Sequence, residues 1–162
     1  MPQSWGSKDP SQIGNRAKLN GATNMLIGIS PLLGPDLLHA LRAMGHGDEI
    51  AFVDGNYPAA EHARRLIRAD GIALEPMLRA VLGVFPVEAA YRAALNNDPA
   101  QAGAIHHQID ALLQHSGSVA TPLAGDALYP RIRSAYAIVA TSEPALFANV
   151  ILRKAALSLP NL

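Results

Sequence analysis

Apolar residues recur along this chain in two rhythms, and the alternation between them predicts its architecture. After Gly34-Pro35-Asp36, residues Leu37, Leu38, Leu41 and Met44 fall three or four apart, the spacing of one helix face that Pro35 opens and Gly45 stops. Glu49 to Val53 is instead a short, mostly apolar run closed by Asp54-Gly55, as expected of a buried strand ending in a turn. The same logic gives a weakly amphipathic helix over Ala59 to Arg65 and a strand over Leu66 to Ala69. A helix follows from Glu75-Pro76 with Leu78, Val81 and Leu82 on its apolar side, and then a strand over Val84 to Val87 whose Pro86 belongs at an end or on an edge. Asn97-Asp98-Pro99 predicts the start of the longest helix, with Ile105, Ile109, Leu112 and Leu113 as its stripe up to Gly117. Ser118 to Asp126 is expected as a turn-rich connection, and Arg131 to Ala135 as the end of a helix that begins near Tyr129. Ala137 to Ala140 and Val150 to Leu152 are further buried strands. Strands that alternate with helices, and are apolar without a period of two, predict an α/β sheet covered on both faces. Met1 to Asn24 follows neither rhythm and is rich in Ser, Asn, Gly, Gln and Lys, so it is expected as a flexible extension before a domain over 25–162.

Composition narrows the function classes. A chain of 162 residues is one domain by length, and 13 basic against 13 acidic side chains leave a formal net charge of zero. Without clustered Lys and Arg, neither nucleic acid nor an anionic membrane is expected as partner. The chain has no cysteine, hence neither disulfides nor thiolate chemistry. It has no apolar run of the roughly 18 residues a membrane span requires, and its N-terminus lacks the order of a signal peptide. A cytoplasmic protein is expected. Hydrophobic residues make up 49% and charged ones 16%, which suggests apolar surface covered by other copies of the chain.

Chemistry concentrates between Met44 and Ala59. His46 is the only one of six histidines bracketed by glycines, where the backbone can bring an imidazole up to a ligand. Asp54 closes a strand, the end at which open α/β sheets bind ligands, although an aspartate there also serves as a turn former. On residues alone these are an acid/base candidate and a polar anchor.

The run from Ile29 to Ala59, with its Met-Gly-His-Gly-Asp-Glu and Asp-Gly-Asn-Tyr-Pro-Ala blocks, resembles the fucose mutarotase branch of the D-ribose pyranase and fucose mutarotase family. Ile67 to Gly71 and Ser134 to Lys154 resemble later blocks of the same family, so the likeness covers nearly all of the chain after residue 24. The resemblance implies a three-layer α/β/α fold with a mixed, mostly parallel sheet. It further implies a mutarotase that interconverts the anomers of a free monosaccharide without cofactor or metal, L-fucose or a related sugar in preference to D-ribose. It casts His46 as proton donor and Asp54, Tyr129, Phe147, Ala148 and Asn149 as the sugar-binding residues, and it implies a homo-oligomer, a ring or double ring such as a decamer. Two positions depart from the family pattern. Phe147 stands where a tyrosine is usual, and Gly125 where a basic ligand-contacting side chain is usual. Unless Arg131, Arg133 or ordered water takes their place, these losses favour weak fucose exchange, improved by introducing Phe147→Tyr and Gly125→Arg together, or else a non-catalytic sugar-binding or regulatory protein of the same fold.

Other signals are weaker. His106 and His107 are adjacent, so on a helix they point about 100° apart and cannot chelate one metal; they are expected as a solvated pair. Gly45-His46-Gly47 lacks the third glycine and preceding strand of a dinucleotide site. Arg64, Arg65 and Arg68 are expected as a solvated face. Length raises one further point. Eight extended residues from His46 to Asp54 span up to roughly 26 Å at about 3.3 Å each, far more than a monosaccharide. Either the Gly47 loop curls the histidine back, or a neighbouring copy completes the site.

Overall fold

The expected strand cores do form a sheet. In the computed structural model, which describes residues 26–158, its strands are β1 (Glu49–Val53), β2 (Leu66–Ala69), β3 (Val87–Ala93), β4 (Ala120–Leu123), β5 (Ala137–Thr141) and β6 (Val150–Lys154). They lie in the order β2-β5-β1-β6-β3-β4. β2, β5 and β1 pair in parallel, as do β3 and β4, while β6 runs antiparallel between β1 and β3. The helices are α1 (Pro35–Ala43), α2 (Ala59–His62), α3 (Leu74–Leu82), α4 (Ala104–His115) and α5 (Gly125–Ser134). The chain divides into two units, Met1–Pro31 and Leu32–Leu162. In the first, a Leu26–Ile29 bridge closes a turn in which Gly28 takes φ +77°. The extension expected over residues 1–24 lies outside the described residues.

Both faces of the sheet are buried in the second unit, because side chains alternate along each strand. Ala51 and Val53 of β1 and Ile138 and Ala140 of β5 pack with Leu128 and Ile132 of α5 and Ala59 of α2. Ile50 and Phe52 leave β1 on the opposite face, fully buried, on the side of α3, whose Leu74, Met77, Leu78 and Val81 are buried in turn. This is the expected three-layer arrangement with a mixed, mostly parallel sheet. Glu49 ties the N-terminal end of β1 to two other elements, accepting from Arg131 of α5 at 2.8 Å and Arg153 of β6 at 3.0 Å.

Four expected boundaries are corrected. The strand placed over Val84 to Val87 starts at Val87 and continues to Ala93. Its polar positions conceal it, since Arg92 is buried only because Asp110 of α4 meets its guanidinium at 2.8 and 3.0 Å. Asn97-Asp98-Pro99 does not cap the longest helix, which starts at Ala104 after Gly103. Asp98 instead accepts the Ala100 N–H in a local turn, and Asn96 and Asn97 both adopt left-handed φ. The turn-rich stretch Ser118 to Asp126 contains β4, an edge strand where Pro122 omits no needed donor. The following helix begins at Gly125, four residues before Tyr129.

Ile138 is fully buried at the centre of this packing. Ile138→Ala is expected to lower stability by about 2–5 kcal/mol through lost burial and the cavity left behind. In urea titration this would show as a lower midpoint at unchanged slope.

Candidate functional site

At its C-terminal end β1 delivers Asp54 into a buried position, 6% exposed. The carbonyl of Val53 just before it accepts the Thr141 hydroxyl at 2.6 Å, tying this end of β1 to β5. Asp54 then organises two segments. Its Oδ1 accepts the Asn56 N–H at 2.9 Å, and its own N–H donates to Asn149 Oδ1 at 3.0 Å. Burial holds the Asp54 carboxyl above the ordinary aspartate range. Hydrogen bonds from the backbone of Asn56, Tyr57 and Ala148, and from the Asn149 side chain, offset part of that rise.

The segment that carries Ala148 and Asn149 is fixed from behind. Phe147 sits at φ +59°, in the left-handed region that a bulky side chain rarely adopts. Its carbonyl accepts a hydrogen bond from His106 Nε2 at 2.9 Å, while His106 Nδ1 accepts the Gly103 N–H at 2.9 Å. These two partners set the tautomer, with the hydrogen on Nε2. The expectation of a solvated histidine pair is thus corrected for His106, which is fully buried, whereas His107 is exposed. Burial pushes the His106 imidazole below its ordinary range and the bond to Phe147 partly restores it.

In front of this clamp lies a cleft of about 430 Å³, within the range of small-molecule sites. Asp54, Tyr129, Phe147 and Asn149 line it, so four of the expected site residues meet in space. Ala148 is fully buried and supports Asp54 through its backbone. Tyr57 and His62 also line it and were not legible as site residues, and Arg133, one of the two arginines that could stand in for the lost groups, lines it too, whereas Arg131 does not. Tyr57 and Tyr129 form an aromatic wall with centroids 6.1 Å apart, His62 Nδ1 lies 2.9 Å from the Tyr57 hydroxyl, and His62 Nε2 lies 3.2 Å from an Arg133 nitrogen. Tyr57 stood inside the motif block, but His62 and Arg133 are 71 positions apart and carry no pairing signal.

His46 lies elsewhere. It precedes the other end of β1, its side chain is 61% exposed, and its Nε2 is 2.7 Å from Glu88 Oε2. The Gly47 loop does not curl back along the sheet: Gly47 N–H donates to the Lys154 carbonyl and Lys154 N–H to the Asp48 carbonyl, both at 2.9 Å, fastening the loop to the end of β6. Five strand residues at about 3.3 Å each therefore hold His46 and Asp54 of one chain on the order of 16 Å apart. At Gly125 an added Cβ would lie 2.8 Å from Tyr129 Cε2 and 3.0 Å from Asn97 Oδ1. The Tyr129 ring thus fills the space beside this glycine, and Gly125→Arg would displace it.

A model of the RbsD / FucU transport protein family matches residues 27–157. The chain belongs to this family. Its fold is similar to that of the fucose mutarotase of Streptococcus pneumoniae, solved in complex with L-fucose, at 34% identity and a TM-score of 0.76 over 82% of this chain and 100% of that one. FucU from Bifidobacterium longum matches at 28% identity and 0.71 over 81% and 99%. RbsD of Bacillus subtilis, complexed with D-ribose, shares the fold at 21% identity and 0.67 over 78% and 95%. Among the described residues, no helix is long and apolar enough to cross a membrane.

The His106 clamp has a signed pH consequence. The folded state resists protonating His106, whereas the unfolded chain takes that proton at about pH 6.5, so acidification below this value favours unfolding. The melting temperature of the wild type is expected to fall between about pH 7 and 5.5, and that of His106→Gln, which keeps a donor for Phe147, to fall less. At pH 7.5 His106→Ala should cost about 1–3 kcal/mol by leaving the half-buried Phe147 carbonyl without its donor and removing a fully buried ring.

Proposed function

We propose that this member of the family is a cofactor-free monosaccharide mutarotase acting on L-fucose or a related free hexose. The observation that carries this reading is the convergence of Asp54, Tyr129 and Asn149 on one cleft at the C-terminal end of β1. The likeness to a fucose mutarotase over the whole of that enzyme's length supports it. Mutarotation needs one group to protonate the ring oxygen and another to take the proton of the anomeric hydroxyl, after which the open-chain aldehyde turns and recloses. Asp54, whose desolvated carboxyl binds a proton more readily than an ordinary aspartate, suits the second role, directly or through a water it orients. Tyr129 and Asn149 hold hydroxyls. His46 is the proton donor in its imidazolium form, Nε2–H held by Glu88 and Nδ1–H passed to the ring oxygen, which leaves the neutral imidazole to be reprotonated when the ring recloses. Spontaneous mutarotation is already fast, so few catalytic groups suffice.

Since His46 and Asp54 of one chain stand at opposite ends of β1, this mechanism takes His46 from a second copy, in a closed ring or double ring whose contacts cover part of the apolar surface. A cytoplasmic setting, where free sugars are metabolised, fits the cysteine-free chain. The second reading, a sugar-binding protein without turnover, is favoured by Phe147, which lacks a phenol, and by Gly125.

Saturation transfer between the anomers of L-fucose distinguishes the two. Accelerated exchange is expected for the wild type and the spontaneous rate for His46→Ala and for Asp54→Ala, each folded. Mixing the two variants under conditions that exchange subunits should restore part of the activity, because some sites then receive an intact residue from each copy. A wild type that binds fucose without accelerating exchange would establish the second reading. Phe147→Tyr alone, which leaves Tyr129 undisturbed, should tighten fucose binding by up to about tenfold, the worth of one neutral hydrogen bond.

A further inference from the structure

The cleft holds a phenol that the proposed reaction leaves unused. The Tyr57 ring packs, partly buried, against the core shared by β1, β5 and α5, stands edge-on to the His62 ring at 5.3 Å between centroids, and tilts against Tyr129 at 6.1 Å. Its backbone is fastened to the Asp54 turn, because Tyr57 N–H donates to the Asp54 carbonyl at 3.2 Å. Only the hydroxyl rotor remains to be set. His62 Nδ1 lies 2.9 Å from the Tyr57 oxygen, and His62 Nε2 lies 3.2 Å from an Arg133 nitrogen. A guanidinium can only donate, so Nε2 accepts, the ring hydrogen sits on Nδ1, and it is donated to the Tyr57 oxygen. Among the described residues no other group hydrogen-bonds that oxygen. The Tyr57 O–H is therefore left for the cleft, which Tyr57 and His62 both line.

Three elements thus cooperate on one hydrogen. Arg133 in the last turn of α5 fixes the tautomer of His62, and His62 at the end of α2 fixes the rotor of Tyr57, which precedes that helix. Burial pushes the Tyr57 phenol up, with Arg133 pulling the opposite way, so the hydroxyl remains protonated at neutral pH. A donor already held in one orientation loses little freedom when a ligand arrives. Elsewhere the cleft is short of donors: Asn149 Oδ1 is taken by the Asp54 N–H, and the Phe147 side chain has no polar atom. We propose that Tyr57 is a specificity-determining residue whose O–H donates to one hydroxyl of a neutral sugar, at C2, C3 or C4, with His62 acting through it as a positioning residue. The anomeric hydroxyl and ring oxygen go to Asp54 and His46, which leaves the hydroxyls away from C1 for Tyr57. This rests on the reading that the cleft binds a free sugar, and it names what selects that sugar.

Titration calorimetry with L-fucose and its monodeoxy analogues at C2, C3 and C4 tests it. Tyr57→Phe keeps the ring and is expected to weaken L-fucose binding by about three- to tenfold, the worth of one neutral hydrogen bond. One of the three analogues should bind the wild type more weakly than L-fucose by a similar factor, yet bind Tyr57→Phe as well as L-fucose does, because the missing hydroxyl is the one that Tyr57 meets. His62→Ala should weaken L-fucose binding in the wild type and add nothing on top of Tyr57→Phe, the signature of a residue that acts through the phenol. Unchanged binding in Tyr57→Phe, discrimination among all three analogues that survives it, or an additive loss in the double variant overturns the proposal. Anomer exchange measured on the same samples separates the two readings. The expected binding pattern without accelerated exchange supports this proposal and removes the mutarotase, whereas binding and exchange both indifferent to Tyr57→Phe remove this proposal alone. A wild type that does not bind L-fucose overturns both.

Discussion

The left-handed backbone at Phe147 is the constraint on which the cleft depends. A non-glycine residue in that region costs roughly 1–3 kcal/mol and persists only where its surroundings over-determine it. Here the surroundings are His106, which is wholly buried and grips the Phe147 carbonyl, and the side chain of Phe147, which packs against the core shared by β1, β5 and α5. The turn at 147 aims the next two residues at Asp54, the Ala148 N–H toward its carboxylate and the Asn149 amide toward its backbone N–H. A histidine two strands away in sequence thereby decides how Asp54 is presented, although it lines no part of the cleft.

Sheet topology explains why these groups meet at all. β6 is antiparallel to β1, with Phe52 opposite Val150, so the register carried on sets Asn149 opposite Val53 and Ala148 opposite Asp54. Asn149 and Asp54 are neighbours for that reason. The same ladder sets Glu49 opposite Arg153 at the far end, where the loop bearing His46 is fastened to Lys154. One antiparallel strand both assembles the anchor of the site and holds the candidate proton donor away from it.

What the sequence made legible divides along the same physical line. Strands whose burial comes from their own apolar side chains, β1, β2, β5 and β6, stood out as runs, as did α1 and α3 with glycine just past their ends. β3 did not, since its buried Arg92 is tolerable only through Asp110, eighteen positions away. The start of α4 was misplaced because Asp98 can form a turn as readily as a cap, and nothing local tells the two apart. In the site, the motif blocks containing Asp54 and Asn149 were visible because their neighbours in sequence are also their neighbours in space. His62 and Arg133 meet only through tertiary packing, and the burial of His106 depends on a carbonyl 41 positions later.

The separation of His46 from Asp54 bears on how activity would depend on assembly. β1 is hydrogen-bonded on both sides, by β5 and β6, so its length is not adjustable by loop motion, and the His46 loop is itself fastened at Gly47 and Asp48. A fluctuation that brought the two groups of one chain together would have to break the central ladder of the sheet, at a cost comparable to unfolding. On the mutarotase reading, an isolated copy is then inactive for a geometric reason while its sugar cleft remains intact. Binding through Asp54, Tyr129 and Asn149 would persist on dilution, whereas turnover would fall with the concentration of assembled copies. Dependence of turnover, but not of binding, on protein concentration is therefore a property of the sheet's topology rather than of any residue in the cleft.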